Sequence, residues 1–370
     1  MSRLDNLIAA QAAARALNDL DIDASRPVDP FDAIDALGLE LQFQPLKDLL
    51  GAILPGARPG VLINSARPAS MQRFTAAHEI GHWFLDQDEL AIDTEEDVEG
   101  MPRQQRERRA QIFASHFLMP LELLHATAER YGVRKGGDLS PIQGYEMARD
   151  MHVSYRATLF QLVNSHFITA RRRDELLRVT PAQLKVTLTH GRRPENTRGD
   201  VWGIDATQTG NALEVFVGDE VVIALPERPS TGYRWVDRDH RPAAREHRSA
   251  PAPFIERPAF SERSNDDNVI PLRAANDVEP IMRKVADHSD SSEQTTRAGA
   301  RVVRRVAFSA TRPGVSAVEM DYRRPFSPGE AADRVQIRAT VRPLPDVEER
   351  QRRLRRFALE ERQLGESTTS

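Results

Sequence analysis

Near residue 180 the chain changes its hydrophobic period, and no single layer of secondary structure serves both halves. Before that point apolar residues recur every three to four positions, as in Met151 to Ile168, which is the pattern of helices with one buried face. Past Pro181 the apolar residues alternate with polar ones in short runs, "LEVFVGDEVVIAL" and "VSAVEMDYRRPF" among them, broken by Pro and Gly. That is the pattern of antiparallel strands. At roughly 150 residues per domain, 370 residues also suggest two or three domains. The expected fold class is therefore α+β and multidomain. It comprises a mainly helical domain over 1–180, a linker over 181–205, an all-β domain over 206–345 and a charged helical tail over 346–370. One exception interrupts the helical half, the apolar run Gly60–Asn64, which reads as a strand. Inside the β half, residues 237–296 are rich in charge, Pro and Ser and poor in periodicity, so a disordered insertion is expected there.

Composition excludes several functions. No run approaches the ~18 apolar residues that span a bilayer, and the first residues carry acids where a signal peptide carries a basic and then an apolar stretch. No membrane association and a cytoplasmic location are expected. The chain has no cysteine, so any metal is held by His and carboxylate and no thiol nucleophile exists. The net charge of −4 gives no general attraction to nucleic acid. The segment "MHVSYRATLFQLVNSHFITARRR" has the outline of a helix-turn-helix with a basic tail, but such helices more often pack on a neighbouring core. DNA binding is not expected.

Within the helical half, "HEIGH" places His78 and His82 four residues apart, which on a helix stacks both imidazoles on one face. Phe74, His78, Gly81, His82 and Leu85 form one inward stripe, and Ser70 is a candidate cap for the helix start. Given ten histidines, chance supplies about 0.02 such His-Glu-x-x-His matches in the chain. The reading is a metal site. Glu79, next to a ligand but not itself one, is placed to take a proton from a water attacking a carbonyl. A catalytic zinc takes three protein ligands, so a third must come from elsewhere. In "RERRAQIFASHFLMP" the inward stripe Ala110, Phe113, Ala114 and Phe117 passes one turn earlier through Glu107, the favoured candidate. His116 and the acidic run 93–99 are the alternatives.

"RFTAAHEIGHWFL" followed by "ERRAQIFASHFLMP" resembles the ImmA/IrrE metallopeptidases, and the resemblance covers roughly residues 25–178. "RPVDPFDAIDALGLELQF" matches the family's opening and "VSYRATLFQL" the helical segment after its core. One position departs: the family often has Glu or Gln just before the Ala, where this chain has Arg109. Arg binds no metal, so a third ligand drawn from that position would leave the site crippled, whereas Glu107 would leave it intact. The resemblance implies a zincin-like fold, one catalytic Zn²⁺, and cytoplasmic cleavage of a regulatory protein, commonly a helix-turn-helix repressor.

In the β half, "VGDEVVIALPE", "RPSTGYRW" and "GARVVRRVAFSATRPGVSAVEMDYRRPF" occur in the order seen in the chagasin-like inhibitors of papain-type cysteine peptidases, which these stretches resemble over about residues 211–343. The resemblance implies an immunoglobulin-like sandwich whose three loops enter a protease cleft. Pro229, Thr231, Gly232, Tyr233 and Trp235 match the first loop and Arg228 replaces an Asn. Gly299 opens the second, whose later glycines are lost. Arg324, Pro325 and Phe326 stand for the third. With the strand pattern kept and the inhibitory loops altered, the expected role is substrate docking, sensing or autoregulation beside the peptidase. The alternative is a degenerate peptidase whose β half binds or inhibits a papain-like enzyme.

Overall fold

The computed structural model describes residues 3–54, 56–85, 91–94, 105–208, 210, 212–238, 279–289, 302–325 and 330–354. It resolves into two compact units, one of residues 1–202, 218–220 and 343–370 and another of residues 203–217 and 221–342. The α+β reading holds, with helices and a small sheet first and an all-β unit second.

The first unit opens with α1 (Arg3–Asp19), α2 (Pro30–Ala36), β1 (Glu40–Gln44), β2 (Leu49–Leu54) and β3 (Gly60–Asn64). It continues through α3 (Ala69–Leu85), β4 (Ala91–Thr94), α4 (Gln105–Leu118), α5 (Leu121–Arg130), α6 (Pro141–Asp150), α7 (Tyr155–Asn164), α8 (Ala170–Leu176) and α9 (Pro181–Leu188). The expected strand 60–64 is β3, and it lies inside a four-stranded sheet ordered β1-β3-β2-β4. β1 runs parallel to β3, while β2 runs antiparallel to both β3 and β4. Asn64, fully buried at the end of β3, fixes the approach to β2: its amide donates to the Leu46 and Leu49 carbonyls at 2.8 and 2.7 Å, and its Oδ1 accepts from the Leu46 and Ala66 amides.

α3 starts one residue before Ser70, so Ser70 sits in the first turn and does not cap it. The carbonyl of Pro68 accepts from the amides of Met71 and Gln72, and the Gln72 side chain donates to the Arg67 carbonyl at 2.8 Å. Proline suits that boundary because its ring keeps the preceding residue, Arg67, out of the helical region while its own carbonyl begins the ladder. α3 packs on the sheet through β2 and β3 and on α1, α2 and α4. Ala9, Ala12, Ala13 and Ala16 give α1 a small, wholly buried face, so it lies close against α3 and α4. The segment considered for DNA forms α7 and the start of α8, and Tyr155, Leu159, Leu162 and Phe167 from it are buried in this unit's core.

Two boundaries differ from expectation. Residues 181–188, assigned to a linker, form α9 with a reciprocal cap: Thr180 Oγ1 accepts from the Gln183 amide and Gln183 Oε1 from the Thr180 amide. The segment 237–296, expected to be disordered, contains β9 (Met282–Ser289), while 239–278 and 290–296 lie outside the described residues. β9 is an exposed edge strand, so its solvated side chains concealed it from a reading based on composition. The tail begins with a helix over 345–354, α10, that returns to the first unit, where Arg352 meets Asp32 at 2.6 Å.

The second unit carries two four-stranded sheets. One is ordered β5 (Val201–Asp205), β7 (Glu220–Glu227), β10 (Val302–Ala310) and β9; the other β6 (Ala212–Phe216), β12 (Asp333–Arg342), β11 (Gly314–Arg323) and β8 (Arg234–Asp237). Along β12 the buried residues are Val335, Ile337, Ala339 and Val341, every second position, as one inner face of a sandwich demands.

Candidate metal centre

α3 is buried on nearly its whole circumference from Thr75 to His82, and its two histidines face α4. Gly81 allows this approach, because a Cβ there would lie 3.1 Å from the Phe113 ring and 3.2 Å from the Ala110 Cα. With α4 so close, Glu107 reaches both imidazoles. Its Oε2 is 3.3 Å from His78 Nε2 and 3.3 Å from His82 Nε2, and the two Nε2 atoms are 3.2 Å apart. All three residues are buried.

This triangle discriminates between readings. Ligand atoms 2.0–2.1 Å from a tetrahedral zinc lie about 3.3–3.4 Å from one another, and the three observed edges are within 0.2 Å of that range. Two imidazoles and one carboxylate are also a donor set of catalytic zinc sites, which leave a fourth position open. The residues present therefore fit a zinc ion. Glu107 Oε1 is turned the other way, 3.6 Å from Arg106 Nε.

The alternatives for the third position fall elsewhere. His116 is on α4, but its Nδ1 is 3.5 Å from Gln161 Nε2 and it is not part of the cluster; burial lowers its pKa and keeps it neutral. Of the acidic run, Asp93 belongs to β4 and 95–99 lie outside the described residues. Arg109 is on the far side of α4 from Glu107, its Nε donating to Asp5 Oδ1 at 2.8 Å.

Glu79 is fully buried beside β2. A residue the sequence reading passed over sets this contact. A Cβ on Gly51 would lie 3.2 Å from Glu79 Oε1, 2.4 Å from Thr75 Cγ2 and 2.9 Å from the Leu62 carbonyl. The signal was available, since a glycine within an apolar strand, "LLGAIL", marks a close approach. Gly51→Ala is expected to destabilise the first unit by about 1–3 kcal/mol and to displace the Glu79 carboxylate. Adding Thr75→Ser, which removes the nearest clashing methyl, should recover part of both losses; denaturant unfolding and hydrolysis rates measure them.

In the second unit the loop residues divide. Gly232 takes a left-handed backbone, φ 75°, and closes the turn after Pro229 and Thr231, which are exposed. Trp235 is only 2% exposed: its indole N–H donates to the Pro226 carbonyl at 2.9 Å and its amide to Glu227 Oε1 at 2.8 Å. It is therefore a core residue of the sandwich and presents no binding surface. Tyr322 packs at a tilt between Trp235 and Tyr233, with ring centres 5.1 and 5.5 Å away, and the Arg324 guanidinium lies 5.1 Å from the centre of the Tyr233 ring. The first and third loops are thus neighbours through Tyr233 and Arg324, with Pro325 half-buried beside them. Gly299 and Phe326 lie outside the described residues.

Against known protein families, residues 34–162 match the model of the IrrE N-terminal-like domain. That span contains His78, Glu79, His82 and Glu107 together. Residues 34–162 form an IrrE N-terminal-like domain. Two proteins named radiation response metalloprotease IrrE are similar to this chain. The one from Deinococcus radiodurans is 34% identical over 161 residues, 43% of this chain and 47% of that protein. The one from Deinococcus deserti is 35% identical over 127 residues, 34% of this chain and 43% of that protein. The chain thus spans about half the length of these relatives. Among solved structures, a cysteine protease inhibitor of Entamoeba histolytica covers 39% of this chain and 94% of its own, at 14% identity and TM-score 0.24. A protein described as PbICP-C in complex with falcipain-2 covers 39% and 100%, at 21% identity and TM-score 0.23. The sandwich itself is assigned from its own strand order. No helix among the described residues is long and apolar enough to cross a membrane.

Proposed function

We propose that the chain is a zinc-dependent endopeptidase that cleaves a regulatory protein, with the β-sandwich serving substrate docking or autoregulation. The observation that carries the first part is the buried 3.2–3.3 Å triangle of His78, His82 and Glu107 with Glu79 adjacent on α3. His78, His82 and Glu107 hold the ion, and a bound zinc supplies Lewis acidity toward a peptide carbonyl. Glu79 accepts the proton of the attacking water and returns it to the leaving amine. Gly51 lets β2 pass close beside Glu79 and so limits where its carboxylate can sit.

A helix-turn-helix repressor is the proposed substrate class, supported by the resemblance of the peptidase motifs. The docking role of the sandwich is supported by Pro229 and Thr231, exposed on a turn whose inner residues are tied down. The competing reading, a dead peptidase that acts through its sandwich on a papain-like enzyme, drew its support from Arg109, and Arg109 is engaged with Asp5.

Metal analysis of the purified full-length protein tests the proposal. One zinc per chain is expected, with loss in both His82→Ala and Glu107→Ala and chelator-sensitive proteolysis by the parent. Stoichiometric zinc retained in Glu107→Ala would reject the ligand set.

A further inference from the structure

Glu107 enters the ligand triangle from the first turn of its helix. His78 lies in the body of a 17-residue helix and His82 in its last turn, while Glu107 is the third described residue of α4. First turns lack part of their backbone hydrogen bonds and open most readily. A ligand in such a place needs an outside hold, and one is present behind it.

Gln105 and Arg109 flank Glu107 two residues away on each side. At 100° per residue both project from the face opposite Glu107 and lie next to one another, four residues apart. Both donate to one atom, Oδ1 of Asp5 on α1, at 2.6 Å from Gln105 Nε2 and 2.8 Å from Arg109 Nε. Asp5 is 3% exposed. These bonds, Gln105's first, hold its carboxyl below the usual aspartate range, so it accepts as a carboxylate. α1 is itself seated by its buried alanine face.

We infer that Asp5, with Arg109 and Gln105, is a brace that positions Glu107 for the metal, so that α1, outside the family-matched residues, belongs functionally to the metal centre. Arg109 and Asp5 are positioning residues: neither touches the ligand triangle, and both act through the first turn of α4. The inference rests on the reading of His78, His82 and Glu107 as the metal ligands.

The test uses full-length protein and measures zinc affinity by competition with a chelating dye, together with the visible spectrum of the Co²⁺-substituted protein and the thermal melt of the apo form. Partners that orient metal ligands are worth about 10–100-fold in affinity. Asp5→Ala and Arg109→Leu are each expected to weaken zinc binding by that much. The double variant should be no weaker than the worse single one, because both act through one contact. Arg109→Lys, which keeps a cationic donor, should restore most of the affinity, and the Co²⁺ bands should shift in Arg109→Leu but not in Arg109→Lys. Arg109 is partly exposed, so Arg109→Leu decides the matter even if Asp5→Ala does not fold. An Arg109→Leu protein that melts like the parent and binds zinc within twofold of it overturns the brace, as do losses that simply add. A parent that takes up no zinc, or a His82→Ala variant that keeps it, rejects the metal reading itself.

Discussion

Glu79→Gln is expected to slow hydrolysis of the cognate substrate by about 10²–10⁴-fold, the usual worth of a positioned general base, while the protein keeps one zinc per chain. The substitution preserves shape and size but removes the group that accepts a proton. Shape matters here because Glu79 is fully buried against β2, where the Gly51 backbone leaves no spare room, so a larger or shorter side chain would confound chemistry with repacking. The metal should be unaffected, since the 3.2–3.3 Å triangle is built from His78, His82 and Glu107 without Glu79. Steady-state rates beside metal analysis separate the possible outcomes. A fall in kcat with metal retained supports proton transfer by Glu79. Undiminished cleavage removes Glu79 from the mechanism, and loss of zinc would make it a structural member of the site.

The legible parts of this protein were those whose geometry is local. Four-residue spacing puts His78 and His82 on one helix face wherever the helix lies, and the same periodicity pointed Glu107 inward from a stripe of Ala110, Phe113, Ala114 and Phe117. The β character past residue 180 was legible because alternation in β12 is nearly perfect. What was missed depends on distant partners. β1, β2 and β4 are short, and a run such as "LLGAIL" carries no period that separates a buried strand from a helix until its neighbours are known. Gly51 became meaningful only when α3 was seen lying across it. Arg109 read as a flaw in the metal site because its partner, Asp5, is 104 residues away in sequence and belongs to no motif. The edge strand β9 was hidden by its own solvated side chains.

Trp235→Ala is expected to cost the sandwich about 3–5 kcal/mol, the range for emptying a large buried aromatic site. Its indole is 2% exposed, it packs against Tyr322, and it donates to the carbonyl of Pro226, so truncation leaves a large cavity and removes that hydrogen bond. Denaturant unfolding of the full-length protein, followed by circular dichroism, should show the β transition moving to lower denaturant while the helical transition stays in place. Substitutions at the exposed positions Pro229 and Thr231 should leave that transition within about 0.5 kcal/mol of the parent. The contrast splits "RPSTGYRW" by role. Trp235 anchors the turn to the core, so a partner is recognised through the turn's exposed residues and the neighbouring Arg324. A Trp235→Ala protein of unchanged stability would overturn this division and return the whole stretch to the binding surface. If the division holds, any effect of Thr231→Arg on substrate cleavage reports docking rather than unfolding, because that side chain is exposed and its bonds are local: its hydroxyl donates to the Arg228 carbonyl and accepts from the Tyr233 amide.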